Sequence, residues 1–317
     1  MKLIQPSVEL MPWSDPFIHV EKIGRVCYKS TSDFTHESGV KFFNSLVKSK
    51  HYSVLEHATF LFLLDPKYVS GQLGELEFIR SRKYLEWTRV YTPYEPYSRV
   101  ILSGNLRAIK ESGLFYILAA PLIREYPELH TYFSYPIGSQ TTPLSLSDHS
   151  TEPFRLITRE EFLSLKPNQI ELQQHLYTSI SFTTDRGVSH EIVRHRPASF
   201  SQESTRYCNY SKDKFGNELE FIKPANFDSW LPNHKSVYLH ALKEAEMSYM
   251  YMVEEGMSPQ NARGVLPTEV RTQIVMTANA REWEHFFDLR VHGVTGAPHP
   301  NMKEVAEKAL KEYNSQF

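Results

Sequence analysis

The sequence predicts a mixed α/β (α+β) chain, with a central, mostly antiparallel sheet flanked by helices and an inserted segment. Three observations carry this. Residues Leu176, Thr178, Ile180 and Phe182 alternate with Tyr177, Ser179, Ser181 and Thr183, and Val270, Thr272, Ile274 and Met276 alternate likewise within Glu269 to Ala278, the period of a strand with one buried face. Phe60 to Leu64 is a short apolar run stopped by Asp65-Pro66, also strand-like. Apolar residues recur at helical spacing in Gly39 to Lys48, Lys235 to Glu255 and Pro300 to Tyr313.

Taken in order, Ile18 to Tyr28 reads as a short mixed segment, and Gly39 to Lys48 as a helix with Phe42, Phe43, Leu46 and Val47 on one face. Glu56-His57 stands at the mouth of the Phe60 strand, where a local hydrogen bond between the two is the simplest expectation. Tyr84 to Tyr91 alternates aromatic and charged residues and reads as an amphipathic packing layer at helical spacing, and Asn105 starts a helix. Gly138 to Pro153, rich in Ser, Thr and Pro, reads as an exposed loop. Asp185 to Arg196 reads as a short helix following the Leu176 strand. Asn217 to Trp230 is loop-like. Lys235 to Glu255 turns Val237, Ala241, Leu242, Ala245, Tyr249 and Met252 inward and is closed by Gly256. Ser258-Pro259 has the chemistry of a new helix start, and Asn279 is placed to cap a helix with Arg281 and His285 on one face and Phe286, Phe287 and Leu289 toward the core.

At 317 residues the chain can bury a sizeable core, and 35 basic against 37 acidic side chains give no global field to draw nucleic acid or a membrane surface. Any anion site must be local. Two cysteines, Cys27 and Cys208, support no disulfide framework. No long apolar run suits a membrane span, the start lacks a secretory pattern, and the expectation is a cytoplasmic protein. No spaced His and carboxylate set of the H-E-x-x-H kind suggests a metal.

The one concentrated local signal is Arg194-His195-Arg196-Pro197-Ala198-Ser199-Phe200-Ser201-Gln202-Glu203-Ser204-Thr205-Arg206-Tyr207. Two residues apart on a helix are roughly 200° apart, so Arg194 and Arg196 are expected to point to opposite sides. Pro197 disfavours helical backbone at Arg196, and Ala198 to Tyr207 should leave as an extended loop. Paired arginine donors match phosphate oxygens. Arg-His-Arg alone reads as a solvated helix end followed by a polar loop; Ser204 and Arg206 reverse the reading toward a phosphate ligand.

Arg194-His195-Arg196, then Ser204, then Arg206-Tyr207 resembles the signature of the flavin-dependent thymidylate synthases, and the likeness runs over roughly residues 20 to 64 and 175 to 310. It stops between Lys67 and about Gln174, which is read as an insertion or subunit-contact element in a single-domain chain. The resemblance implies FAD as cofactor and deoxyuridine monophosphate (dUMP), methylenetetrahydrofolate and NADPH as substrates, in a homotetramer whose active sites lie between subunits. It gives Glu191, Arg194, Gln202, Ser204, Arg206, Arg263 and Arg290 to dUMP, with Arg290 and Ser204 as the catalytic pair and Arg290 activating the pyrimidine. It gives His57, Thr59, Arg194, His195, Arg196, Gln202, Asn279, Arg281 and His285 to FAD. Glu191, where Gln is frequent in the family, is expected to face the base or Arg194. Ser201-Gln202 stands where many members have Asn-Glu, and His285 where Asn occurs. With no glycine fingerprint for a dinucleotide fold, the flavin would be held by side chains. A single-stranded nucleic-acid binder using the arginines and Trp87 is the competing class, and a metal-dependent nucleotide hydrolase a further one.

Overall fold

A computed structural model describes residues 1–64, 85–90, 99–112, 115–134, 154–211 and 216–316. The strands are β1 (Lys2–Ile4), β2 (Ser7–Met11), β3 (Thr59–Leu64), β4 (Glu86–Val90), β5 (Arg99–Asn105), β6 (Phe154–Ile157), β7 (Tyr177–Asp185), β8 (Ser199–Gln202), β9 (Glu220–Ile222) and β10 (Arg271–Asn279). They form two four-stranded antiparallel sheets, ordered β2-β7-β10-β8 and β4-β5-β3-β6, and a parallel pair, β1-β9. The mostly antiparallel expectation therefore holds, with two sheets in place of one central sheet. The stretch read as an insertion supplies β4, β5 and β6; β5 and β6 pair with β3, β4 pairs with β5, and Val100, Leu102 and Phe154 join the core of Phe60, Phe62 and Leu64.

The β7–β10 pair is the spine. Nine residues match in antiparallel register, from Arg271 opposite Asp185 to Asn279 opposite Tyr177. Each strand ends in a capping residue that starts a helix. Asp185 Oδ1 accepts from the Val188 amide at 2.7 Å to begin Arg186–Ile192, and Asn279 Oδ1 accepts from the Glu282 amide at 3.1 Å to begin Ala280–Phe287. Such caps are worth about 1 kcal/mol each. Both helices fold back over one sheet face, where Ile180, Phe182, Ile274 and Met276 meet Ile192, Trp283, Phe286 and the Pro300–Asn314 helix. Trp283 is fully buried and its Nε1–H donates to the Thr178 carbonyl at 3.1 Å; truncating it to Ala would cost roughly 3–5 kcal/mol.

The opposite face corrects the one-buried-face reading of β7, because both of its faces are covered. Ser179 and Ser181 lie there with Thr277, Val275 and Ser201 beneath the Pro16–Val26 helix. A buried hydrogen-bonded row crosses this layer. His19 Nε2 and Ser179 Oγ are 3.2 Å apart, Ser179 Oγ and Thr277 Oγ1 2.6 Å, Thr277 Oγ1 and His57 Nδ1 2.7 Å, and His57 Nε2 and Ser201 Oγ 3.0 Å. Burial pushes His19 down to about 4 and His57 down to about 3. A hydroxyl row can satisfy a neutral imidazole but offers no counter-charge to an imidazolium.

Other departures have identifiable causes. Ile18 to Tyr28 is not mixed; it lies mostly in the Pro16–Val26 helix, announced by Asp15, whose carboxylate accepts from the Phe17 and Ile18 amides, and by Pro16 at the first turn. The His36–Ser49 helix buries Phe43, Leu46 and Val47 as expected, and Gly39 meets the Phe17 backbone so closely that an added Cβ would lie 2.7 Å from it. Glu86–Val90 is a strand, not a helical layer, while Tyr84, Tyr91, Asp65-Pro66 and the Gly138 to Pro153 loop lie outside the described residues. Asn105 does cap a helix, Leu106–Glu111. Asn217 to Trp230 contains β9, recruited by β1 from the far end of the sequence. In the Pro232–Glu254 helix Leu242 and Tyr249 are buried, but Val237 is 71% exposed and Ala241 is exposed as well, since no element among the described residues covers that side.

An unfolded imidazole takes up its proton near pH 6.5, whereas folded His57 stays neutral down to about 3. Below pH 6.5 the unfolded chain therefore binds more protons, and stability falls as pH falls. Urea unfolding of wild type should lose stability steadily from pH 6.5 to 4, and His57→Gln should lose it with a slope shallower by about one proton. Equal slopes in the two proteins would contradict the assignment.

Candidate active site

Arg290 sits where the two capped helices converge. The Ala280–Phe287 helix continues as a wider turn over Asp288–His292, ended by Gly293 in left-handed conformation at φ 66°. That turn swings the Arg290 guanidinium toward the Arg186–Ile192 helix. Its Nη1 donates to Glu191 Oε2 at 2.7 Å and its Nε to His195 Nε2 at 3.2 Å, which leaves Nη2 without a protein partner among the described residues. Accepting at Nε2 requires a neutral His195. Burial first, then the charges of Arg290 and His285, push it down to about 4. The His195 ring also packs on Phe286, with centroids 4.8 Å apart, and His285 lies 6.1 Å from it. Glu191 thus faces Arg290, not Arg194; the helix axis directs its carboxylate across to the incoming turn.

Arg194 and Arg196 are not set apart by a helix. The helix ends at Ile192, and the amides of Arg194 and His195 reach the carbonyls three residues back, tightening the chain into a turn before Pro197 acts. Both arginines are exposed on either side of buried His195, and among the described residues neither makes an ion pair.

The run after Pro197 is extended, as expected, but its first half is strand β8 paired with β10. Gln202 Nε2 donates to Ser189 Oγ at 2.8 Å and to Thr272 Oγ1 at 3.2 Å. Beyond it the chain turns, with the Ser204 amide on the Cys27 carbonyl at 3.0 Å. Arg206 Nε donates to Gln260 Oε1 at 3.0 Å, and Arg263 Nη1 to Thr205 Oγ1 at 3.3 Å, so Ser204, Arg206 and Arg263 share one surface. Among the described residues, no hydrogen bond or ion pair joins this group to Arg290.

The remaining candidates lie elsewhere. His57 is fully buried in the hydroxyl row, and Glu56 pairs with Arg107 at 2.8 Å instead of with its neighbour. Asn279 is spent on its cap and on the Gln174 carbonyl at 3.3 Å. Arg281 pairs with Glu86 at 3.0 Å, and His285 is exposed on the same helix. Thr59 lines a cleft of about 910 Å³ between the two large sheets.

Reading the sequence missed the support under the motif. Glu203 is 1% exposed and ion-paired with Arg271, and the Tyr210 hydroxyl donates to it at 2.7 Å. A carboxylate in the middle of a polar run gives no sign of burial; the sign was Arg271, the one charged residue of the alternating strand β10. Among the described residues, no group of three or more His, Cys, Asp or Glu could hold a metal ion, and no helix is long and apolar enough to cross a membrane.

A sequence profile for a family described as thymidylate synthase complementing protein matches residues 9–99 and 166–317. That reaches further than the 20 to 64 segment legible by eye, and leaves 100–165 unmatched. A flavin-dependent thymidylate synthase of Geobacter sulfurreducens is 37% identical over 105 residues, 33% of this chain and 43% of that protein. One from Saccharolobus solfataricus is 38% identical over 120 residues, 38% of this chain and 44% of that protein. The alignments thus span less than half the length of these two relatives. One from Pyrococcus furiosus is 28% identical over 193 residues, 58% of this chain and 77% of that protein. A solved UMP/dUMP methylase, PolB from Streptomyces cacaoi bound with 5-Br dUMP, is 15% identical with a TM-score of 0.41, covering 99% of this chain and 93% of its own, a likeness too weak to bear on fold or ligand.

Removing the Arg290 charge should ease protonation of His195. In Arg290→Gln the His195 pKa, followed by NMR of the ring, is expected to rise from about 4 while staying below the ordinary 6.5, since burial is the larger cause. An unchanged value would mean that Arg290 does not face His195.

Proposed function

The chain belongs to the thymidylate synthase complementing protein family, and from that premise we propose that it is a flavin-dependent thymidylate synthase. It methylates dUMP to thymidylate with methylenetetrahydrofolate as carbon donor and NADPH-reduced FAD as hydride source. The observation that carries the reading is Arg290, held in a fork by Glu191 and neutral His195 with Nη2 left over. A guanidinium so oriented can stabilise negative charge developing on the pyrimidine at little reorganisation cost.

The donor set fits both ligands. A nucleotide monophosphate carries about two negative charges, and Arg206 and Arg263 offer an exposed pair beside Ser204. Each charge-assisted hydrogen bond contributes about 1.5–3 kcal/mol. Arg194 and Arg196, exposed and without ion pairs, suit the pyrophosphate of a dinucleotide, with Arg281 and His285 on the neighbouring helix. Gln202 lies between Arg196 and Ser204 in sequence, and both it and Arg194 can serve either ligand. When bound, the flavin supplies the hydride that completes the methyl group; the chain's residues bind, orient and polarise. His57, Thr59 and Asn279 belong to the flavin side of this reading, and the burial of His57 gives it a positioning role through Thr277 and Ser201.

That no hydrogen bond or ion pair among the described residues joins the Arg290 group to the Ser204 group supports active sites completed by another subunit, in a homotetramer. The long Pro232–Glu254 helix supports association too, with Val237 71%, Met247 53% and Tyr251 64% exposed. Two free cysteines suit a cytoplasmic enzyme.

Two variants test the chemistry. Arg290→Lys keeps the charge but loses the planar fork, so turnover at saturating dUMP should fall by ~100-fold. A raised KM with unchanged turnover would confine Arg290 to binding. A protein thiolate is not needed: Cys208 is fully buried, and burial pushes the Cys27 thiol up, away from the reactive form. The Cys27→Ala, Cys208→Ala double variant should still make thymidylate in a flavin- and NADPH-dependent assay. Complete loss of turnover in a folded, flavin-binding double variant would sink the mechanism.

A further inference from the structure

The turn that carries Ser204 and Arg206 is fastened at both ends. On entry, the Glu203 amide donates to the Gln273 carbonyl at 2.8 Å and the Ser204 amide to the Cys27 carbonyl at 3.0 Å. The chain then doubles back at once. The amides of Tyr207 and Cys208 donate to the Ser204 carbonyl at 3.2 and 3.0 Å, and the Arg206 amide donates to Ser204 Oγ at 3.3 Å. On exit, Cys208 and Tyr210 are buried in a core with Tyr249 and Val270. Between these anchors Ser204 is half-buried and Arg206 is exposed.

One side chain spans the turn. Glu203 is 1% exposed, and each of its oxygens has a donor on a different element. Oε2 accepts from Arg271 Nη1 on β10, and Oε1 accepts from the Tyr210 hydroxyl at 2.7 Å. Burial first, then the Glu203 charge, pushes the Tyr210 hydroxyl up, so it keeps its proton and donates. Arg271 also faces Glu220 of β9 at 3.8 Å, and Lys29 faces Glu220 at 3.5 Å. Two carboxylates thus meet two cations, and Glu203 sets no net repulsion against an anion at the turn.

An apolar pair of similar volume would stabilise the loop as well or better, because removing two charges from water costs about as much as their attraction returns. What the carboxylate adds is direction. Two charge-assisted hydrogen bonds, one from the sheet and one from the far side of the turn, fix the loop in rotation as well as in position.

We propose that Glu203 is a positioning residue for the substrate phosphate: through Arg271 and Tyr210 it holds the Ser204–Arg206 turn in the geometry that receives the nucleotide. The inference rests on the reading of this surface as the dUMP site. Glu203 is buried and does not touch the nucleotide. It governs affinity for dUMP and leaves the Arg290 group alone, since among the described residues no hydrogen bond or ion pair joins the two. A merely structural role would act otherwise, lowering the melting temperature and the active fraction at an unchanged KM.

The test is steady-state thymidylate formation, with calorimetric titration of the full chain by dUMP and fluorescence titration by FAD, in wild type, Glu203→Gln and Tyr210→Phe. In Glu203→Gln the KM and Kd for dUMP should rise about tenfold, and in Tyr210→Phe, which keeps the ion pair and loses one hydroxyl, about fivefold. Turnover at saturating dUMP and affinity for FAD should stay within about twofold of wild type in both, the pattern of lost ground-state binding. Melting temperatures are followed throughout, and Tyr210→Phe decides the question where Glu203→Gln does not fold. An unchanged KM for dUMP in folded Tyr210→Phe, or a fall in turnover at unchanged KM, would overturn the proposal. Wild type that binds dUMP without methylating it would overturn the reaction and leave the positioning role to be read from the dUMP titrations; wild type that binds no dUMP would overturn both.

Discussion

The antiparallel match of β7 with β10 is the constraint from which the site follows. It sets Asp185 at one end of the sheet and Asn279 at the other, each capping a helix that folds back over the same face. Because the two helices leave from opposite ends, they run toward each other and meet, and Arg290 lands on Glu191 and His195. A slip of one residue would turn every side chain of a strand to its other face. The apolar set Ile180, Phe182, Ile274 and Met276 would then exchange places with Ser179, Ser181, Val275 and Thr277. Such an exchange would bury hydroxyls against Trp283 and Phe286, and the register is held accordingly.

The polar face gives the sheet its second character. Packing a helix over Ser179, Thr277 and Ser201 is tolerable because two neutral imidazoles, His19 and His57, complete the hydrogen bonding. One end of this row lines the cleft, and the other lies beside Cys27, whose carbonyl holds the Ser204 amide. The arginine motif and the cleft are thus built on two regions of one sheet, and Glu203 with Arg271 and Tyr210 holds the loop between β8 and the Arg206 surface.

Much of this was legible in residues whose local chemistry matches their place. Asn279 reads as a cap and is one; the alternations of β7 and β10 read as strands and are. Asp15-Pro16 carried an equally plain helix start, but the buried His19 and Glu21 inside that helix masked its period. Parallel pairing of β1 with β9 was not legible, since it joins residues more than two hundred positions apart through three-residue strands. The end of the motif helix at Ile192 was hidden because Val193 to Arg196 carry no breaker before Pro197. Neighbours decide burial on a long helix, so Val237 and Ala241 could be placed on a face but not under cover.

The measurement that bears most directly on the account is a single turnover followed through flavin absorbance. Purified chain reconstituted with FAD and reduced anaerobically by NADPH should lose the oxidised flavin band. The band should return only when dUMP and methylenetetrahydrofolate are both present, with about one thymidylate formed per flavin, since in the proposed reaction the cofactor carries the hydride and the protein positions it. Reoxidation without thymidylate, or thymidylate formed with no flavin bound, would contradict it.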